Sequence, residues 1–93
     1  MFQRHDVINS IYRTIRGVAK LPERTRIRLT DTLDKLVSRE QLIEVVIALE
    51  CSFSMRYEIT AREMTNWTTV NDILESCLQR IPLTKTIGEK HVN

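Results

Sequence analysis

Glycine, proline, cysteine and aromatic residues are all scarce in this chain of 93 residues: two Gly, two Pro, two Cys and 5% aromatics. So few turn formers, together with 42% hydrophobic residues, exclude a disordered or turn-rich chain and indicate a globular, mostly helical one. Cys51 and Cys77 are too few and too far apart for a disulfide framework or a zinc site. Both fall on apolar helical patterns, where they read as core thiols of a reducing compartment. No run of about eighteen apolar residues is present to span a membrane. The first ten residues, MFQRHDVINS, carry Asp6 and Asn9 where a signal peptide needs an apolar core, which points to a cytoplasmic location. Catalytic patterns are missing as well. There is no Gly-rich phosphate loop and no metal-ligand spacing, and His5 and His91 lie near opposite ends with no nucleophile motif beside either. An enzyme is therefore not expected, and neither is a metal.

What is present fits one domain over residues 1–82, close to the smallest size at which a single core suffices, with a flexible tail over 83–93. The net charge of +2 is unevenly placed. Residues 1 to 30 hold seven Lys/Arg against two acids, a net +5, and the remainder hold seven against ten, a net −3. Within the basic part, Arg24, Arg26 and Arg28 form the densest cluster. It reads as a solvated basic face or a docking patch for an acidic partner. A nucleic-acid footprint is the weaker reading, since no aromatic residue interleaves with the arginines.

Apolar spacing predicts four helices. Val7, Ile8, Ile11, Tyr12, Ile15 and Val18 recur at three and four, giving a first helix from about Phe2 to Ala19 that Gly17 and Pro22 should end. Leu21, Ile27, Leu29, Leu33 and Leu36 are scattered anchors for a long loop over 20–37. The richest apolar stretch is Leu42 to Leu49, broken only by Glu44 and bounded by Glu50, which predicts a helix buried on most of its circumference. Ser38 followed by Gln41 has capping-box spacing and starts it. Met55, Tyr57 and Ile59 should then alternate toward the core before a short helix over Ala61 to Trp67, with Met64 and Trp67 inward. Thr68 or Thr69 caps the last helix, whose apolar face runs from Val70 to Ile81, and Pro82 stops it.

In that context IEVVIALECSF, Ile43 to Phe53, resembles the second helix of the acyl carrier protein family, with its pattern V-E-L-V-M-A-L-E-x-x-F. WTTVNDIL, Trp67 to Leu74, is similar to the stretch that opens the family's last helix, and Glu58-Ile59 resembles the pair before its short third helix. The resemblance covers about residues 2 to 81. It implies an all-α, acyl-carrier-protein-like bundle of three long helices plus one short helix, with the second helix as the partner-recognition helix.

The same resemblance places a D-S-L motif, whose serine carries phosphopantetheine, on Ser38, Arg39 and Glu40. Arg39 thus occupies the attachment position, and an arginine cannot form the phosphodiester link. Ser38 lies one residue early, about 100° and 1.5 Å from the family's position if helical, and is the remaining candidate for phosphopantetheine. A plain N-cap is its other reading. The resemblance implies partner contacts through Arg39, Glu40, Glu44 and Glu50, with Arg39 set among the acids that the family offers to basic partners, possible synthase enzymes among them. The expected function is that of a degenerate carrier acting as a protein-interaction module without a cofactor. A working acyl or peptidyl carrier on Ser38, serving lipid or polyketide biosynthesis, and a basic nucleic-acid-binding bundle are the alternatives.

Overall fold

The computed structural model describes residues 2–81, and among these the protein is all-helical, with no strand. Four α-helices follow in order: α1 Arg4–Ala19, α2 Arg39–Phe53, α3 Ala61–Thr65 and α4 Val70–Leu78, with one 3₁₀ turn at Leu33–Lys35. The tail over 83–93, Pro82 and His91 lie outside the described residues.

α1 is the element on which α2 and α4 assemble. It packs against both α2 and α4. Val7, Ile11 and Ile15 point inward at successive spacings of four and are fully buried. They meet Val45 and Leu49 of α2 and Val70, Ile73, Leu74 and Cys77 of α4 in one continuous core. At the edge of this core, Phe2 and Phe53 meet edge to face with ring centroids 4.8 Å apart.

The end of α1 differs from the expectation. Gly17 lies inside the last turn, and a Cβ there would meet nothing within 4 Å. The left-handed residue that closes the helix is Lys20, at φ 56°. Its N–H donates to the Gly17 carbonyl at 3.3 Å while the Leu21 N–H donates to the Arg16 carbonyl at 2.8 Å, the paired bonds of a Schellman cap. A lysine holds this position at some steric cost, because the capping bonds use backbone atoms and need no particular side chain.

The long loop is pinned rather than loose. Ile27, Leu33 and Val37 insert into the core, and the Arg16 Nε–H donates to the Thr25 carbonyl at 2.9 Å. The loop also completes α4. The Val70 and Asn71 N–H groups, orphan donors of the first turn, donate to the Asp31 and Leu29 carbonyls at 3.0 and 2.9 Å. Asp72 accepts from the Thr68 N–H at 2.7 Å and from the Thr69 N–H at 3.0 Å. Those donors hold the Asp72 carboxyl below its usual value.

Three expectations are corrected by burial. α2 is not buried on most of its circumference: Val45, Val46, Leu49 and Phe53 are buried, but Ile43 and Ile47 are 44% and 54% exposed. Cys51 is an exposed thiol, whereas Cys77 is buried as expected. Tyr57 faces solvent, while Ile59 is buried and Met55 half-buried. α3 also stops at Thr65, so Trp67 follows it as a half-buried residue packed on the core.

Candidate functional site

The start of α2 is where the sequence places its most specific expectation. Ser38 adopts extended backbone geometry as N-cap. Its Oγ accepts from the Gln41 N–H at 3.1 Å, and its own N–H donates to Gln41 Oε1 at 2.9 Å. Two orphan donors of the helix start are satisfied at once, as the spacing of Ser38 and Gln41 predicts. The Ser38 side chain is nevertheless exposed. Its role as acceptor leaves the hydroxyl proton free to point elsewhere.

Ser38 and Arg39 border a cavity of about 310 Å³ between the N-terminal half of α2 and α3. Leu33, Val37, Leu42 and Ile43 line it from one side, and Met64 and Trp67 from the other, so Ile43 stands both on this cavity and in solvent. Arg39 is exposed and makes no ion pair among the described residues.

Along the outer side of α2, Glu40, Ile43, Glu44 and Ile47 follow at spacings of three, one and three, which sets them on one face. All four are exposed, so two large aliphatic side chains stand in water beside two carboxylates. Glu50 is arranged differently. It is half-buried, and its Oε2 accepts the Ile59 N–H at 2.7 Å, tying α2 to the segment before α3. Arg24, Arg26 and Arg28 are exposed, with Ile27 buried between them, and Arg28 donates its N–H to Asp31 Oδ2 at 2.9 Å. His5 is a surface residue beside Asp6, at 3.4 Å.

Sequence patterning missed a second cluster. Arg80, just past the end of α4, is 3% exposed and forms a forked ion pair with Glu63 of α3. Its Nη1–H donates to Glu63 Oε2 at 3.0 Å and to the Ser76 carbonyl at 2.9 Å, and Nη2–H reaches the Glu58 carbonyl at 3.4 Å. The ring of Tyr57 covers the guanidinium at 4.4 Å, a cation–π contact. The Ser76 hydroxyl donates to Glu63 Oε2 and accepts from the Trp67 indole N–H at 3.1 Å. Hydrogen bonding to Arg80, helped by Ser76, holds the Glu63 carboxyl below its usual value against the opposing effect of burial. Arg80 Nε is buried without a partner among the described residues.

Among the described residues, no group of three or more His, Cys, Asp or Glu side chains is placed to hold a metal, and no helix is long and apolar enough to cross a membrane. No family model, no curated protein and no solved structure matches the chain.

Proposed function

We propose that this chain is a carrier-like helical module that docks a protein partner along the outer face of α2 and does so without phosphopantetheine. The element order, a long helix, a long anchored loop, a helix, a short helix and a last helix, is the order expected from the resemblance to acyl carrier proteins. The observation that carries the reading is the exposure of Ile43 and Ile47 in line with Glu40 and Glu44. A core-facing helix has no need of two solvated isoleucines on its outer side, and burying the exposed half of each is worth about 1 kcal/mol.

That gain is too small to hold a partner alone. The interface must extend beyond the two side chains, since stable ones bury about 800 Å² on each partner. Glu40 and Glu44 steer toward a basic surface, and Arg39 beside them penalises a partner that is basic throughout. The preferred partner surface therefore has apolar and basic groups together with an acid or a carbonyl opposite Arg39. In this reading Ser38 is a cap that fixes where α2 begins and Glu50 is an internal brace.

A second reading keeps Ser38 as a phosphopantetheine site. Its support is position, since the exposed hydroxyl borders the cavity between α2 and α3. Intact mass after co-expression with a broad-specificity phosphopantetheinyl transferase separates the two. The proposal expects the unmodified mass. A gain of one phosphopantetheine group that disappears in Ser38→Ala would overturn it. Circular dichroism must accompany the variant, because losing the cap costs about 1 kcal/mol.

A further inference from the structure

The basic cluster of the long loop forms a row. From Arg24 to Leu29 exposure alternates residue by residue: Arg24, Arg26 and Arg28 stand in solvent, Thr25 and Leu29 are half-buried, and Ile27 lies in the core. A period of two is that of an extended chain, so successive arginines stand on one side about 6 to 7 Å apart. Ile27 anchors the middle of the row, and the Arg16 Nε–H ties it to the end of α1 through the Thr25 carbonyl at 2.9 Å. Arg13 and Lys20, exposed on the turns of α1 before and after Arg16, extend the charge, so that residues 13–28 hold six cations against one acid, Glu23. Asp31 bounds the far end, its carboxylate accepting the Arg28 N–H. None of the three arginines makes an ion pair among the described residues.

We infer that this row is a docking strip for an extended acidic segment of a partner protein, one with Asp or Glu at every second position. Two extended chains share one repeat, so such a segment brings a carboxylate opposite each arginine in turn. Each guanidinium fork can take a carboxylate through two parallel bonds, and the row is already held in line, so docking orders little of the backbone. Two observations favour a peptide over the phosphate backbone of a nucleic acid. The backbone N–H and C=O of Arg26 both lack a hydrogen-bond partner among the described residues. A second peptide strand supplies an acceptor and a donor for them together, whereas a phosphodiester only accepts. In addition, no aromatic residue lies between positions 13 and 29 to stack a base. The strip shares no residue with the outer face of α2, so the inference holds whatever docks there.

Fluorescence anisotropy on the full chain tests it with two labelled peptides of equal composition, Glu alternating with Thr in one and gathered into a block in the other. At low salt the alternating peptide should bind tighter by about threefold or more, and its binding should weaken as salt rises. Arg24→Gln, Arg26→Gln and Arg28→Gln combined should weaken it about thirtyfold, from about threefold for each exposed pair. This variant should keep the fold, because the three side chains are exposed and the turn at Arg28 uses its backbone atoms. Arg4→Gln, Arg56→Gln and Arg62→Gln combined, at exposed arginines outside the row, change the net charge equally and should cost less than about threefold. Equal losses from the two triple variants, equal affinity for the two peptides, or no binding of the alternating peptide would overturn the inference. Tighter binding of an oligothymidylate of equal charge would also overturn it and assign the row to nucleic acid.

Discussion

Leu49 and Ile47 lie two residues apart in the same apolar run, and truncating each to alanine separates a one-sided helix from one buried nearly all round. Leu49 is fully buried in the core that α2 shares with α1 and α4, whereas Ile47 is 54% exposed. Leu49→Ala removes well-packed atoms and leaves a cavity, a loss of about 3 kcal/mol. For a domain of this size, each kcal/mol shifts Tm by about 4 to 8 °C, so the expected fall is roughly 12 to 24 °C. Ile47→Ala loses little packing and gains a few tenths of a kcal/mol in helix propensity, leaving stability within about 0.5 kcal/mol of wild type. Urea denaturation followed by far-UV circular dichroism reads both, and the slope with denaturant should be unchanged in each variant. The reasoning fails if Ile47→Ala costs within about 1 kcal/mol of Leu49→Ala, because the outer face of α2 would then be packed against something.

The two thiols should behave oppositely. Burial pushes the Cys77 thiol up to about 12, so a thiol-specific reagent at about pH 8 should label the native protein once, at Cys51, and a second time only after unfolding. Rapid double labelling in the folded state would contradict the placement of Cys77. Acid should unfold the protein through two carboxyls held below their usual values, Glu63 chiefly by its hydrogen bonds to Arg80 and Asp72 chiefly by the Thr68 N–H. Their contribution is complete above the ordinary carboxyl range and is lost as pH falls through the lowered values, so stability should fall with acidification below about pH 4.5. Glu63→Gln should flatten that decline in a pH series of urea midpoints, and an acid limb as steep as wild type would count against the Glu63–Arg80 ion pair as a source of stability.

Local signals in the sequence were informative where a short stretch carries its own partner. Ser38 with Gln41 gives both the start of α2 and the chemistry of its cap, and the apolar spacing from Val70 gives the buried face of α4. The faces of α2 were not legible. Apolar residues occupy nearly every position from Leu42 to Leu49, so periodicity carries no phase, and the side turned to solvent is decided by where α1 lies. Cys51 was misread for the same reason. The Glu63–Arg80 ion pair was hidden because the two residues stand seventeen apart and an arginine beyond a helix end looks like any surface charge. Glu50 has the spacing of an outer carboxylate, yet a loop amide that no pattern announces draws it inward. At the candidate site, the sequence locates the N-cap, while the cavity beside it needs the position of α3.

Photo-crosslinking from α2 tests the docking claim most directly. A photoreactive residue in place of Ile47, compared with one in place of Arg26, is introduced into the full chain in its native cell and the adducts are resolved by mass. The account predicts a discrete protein adduct from position 47 that is lost when Glu40 and Glu44 are both changed to Lys, with none of that mass from position 26. An adduct that forms equally from both positions, or that survives the charge reversal, would contradict docking along α2.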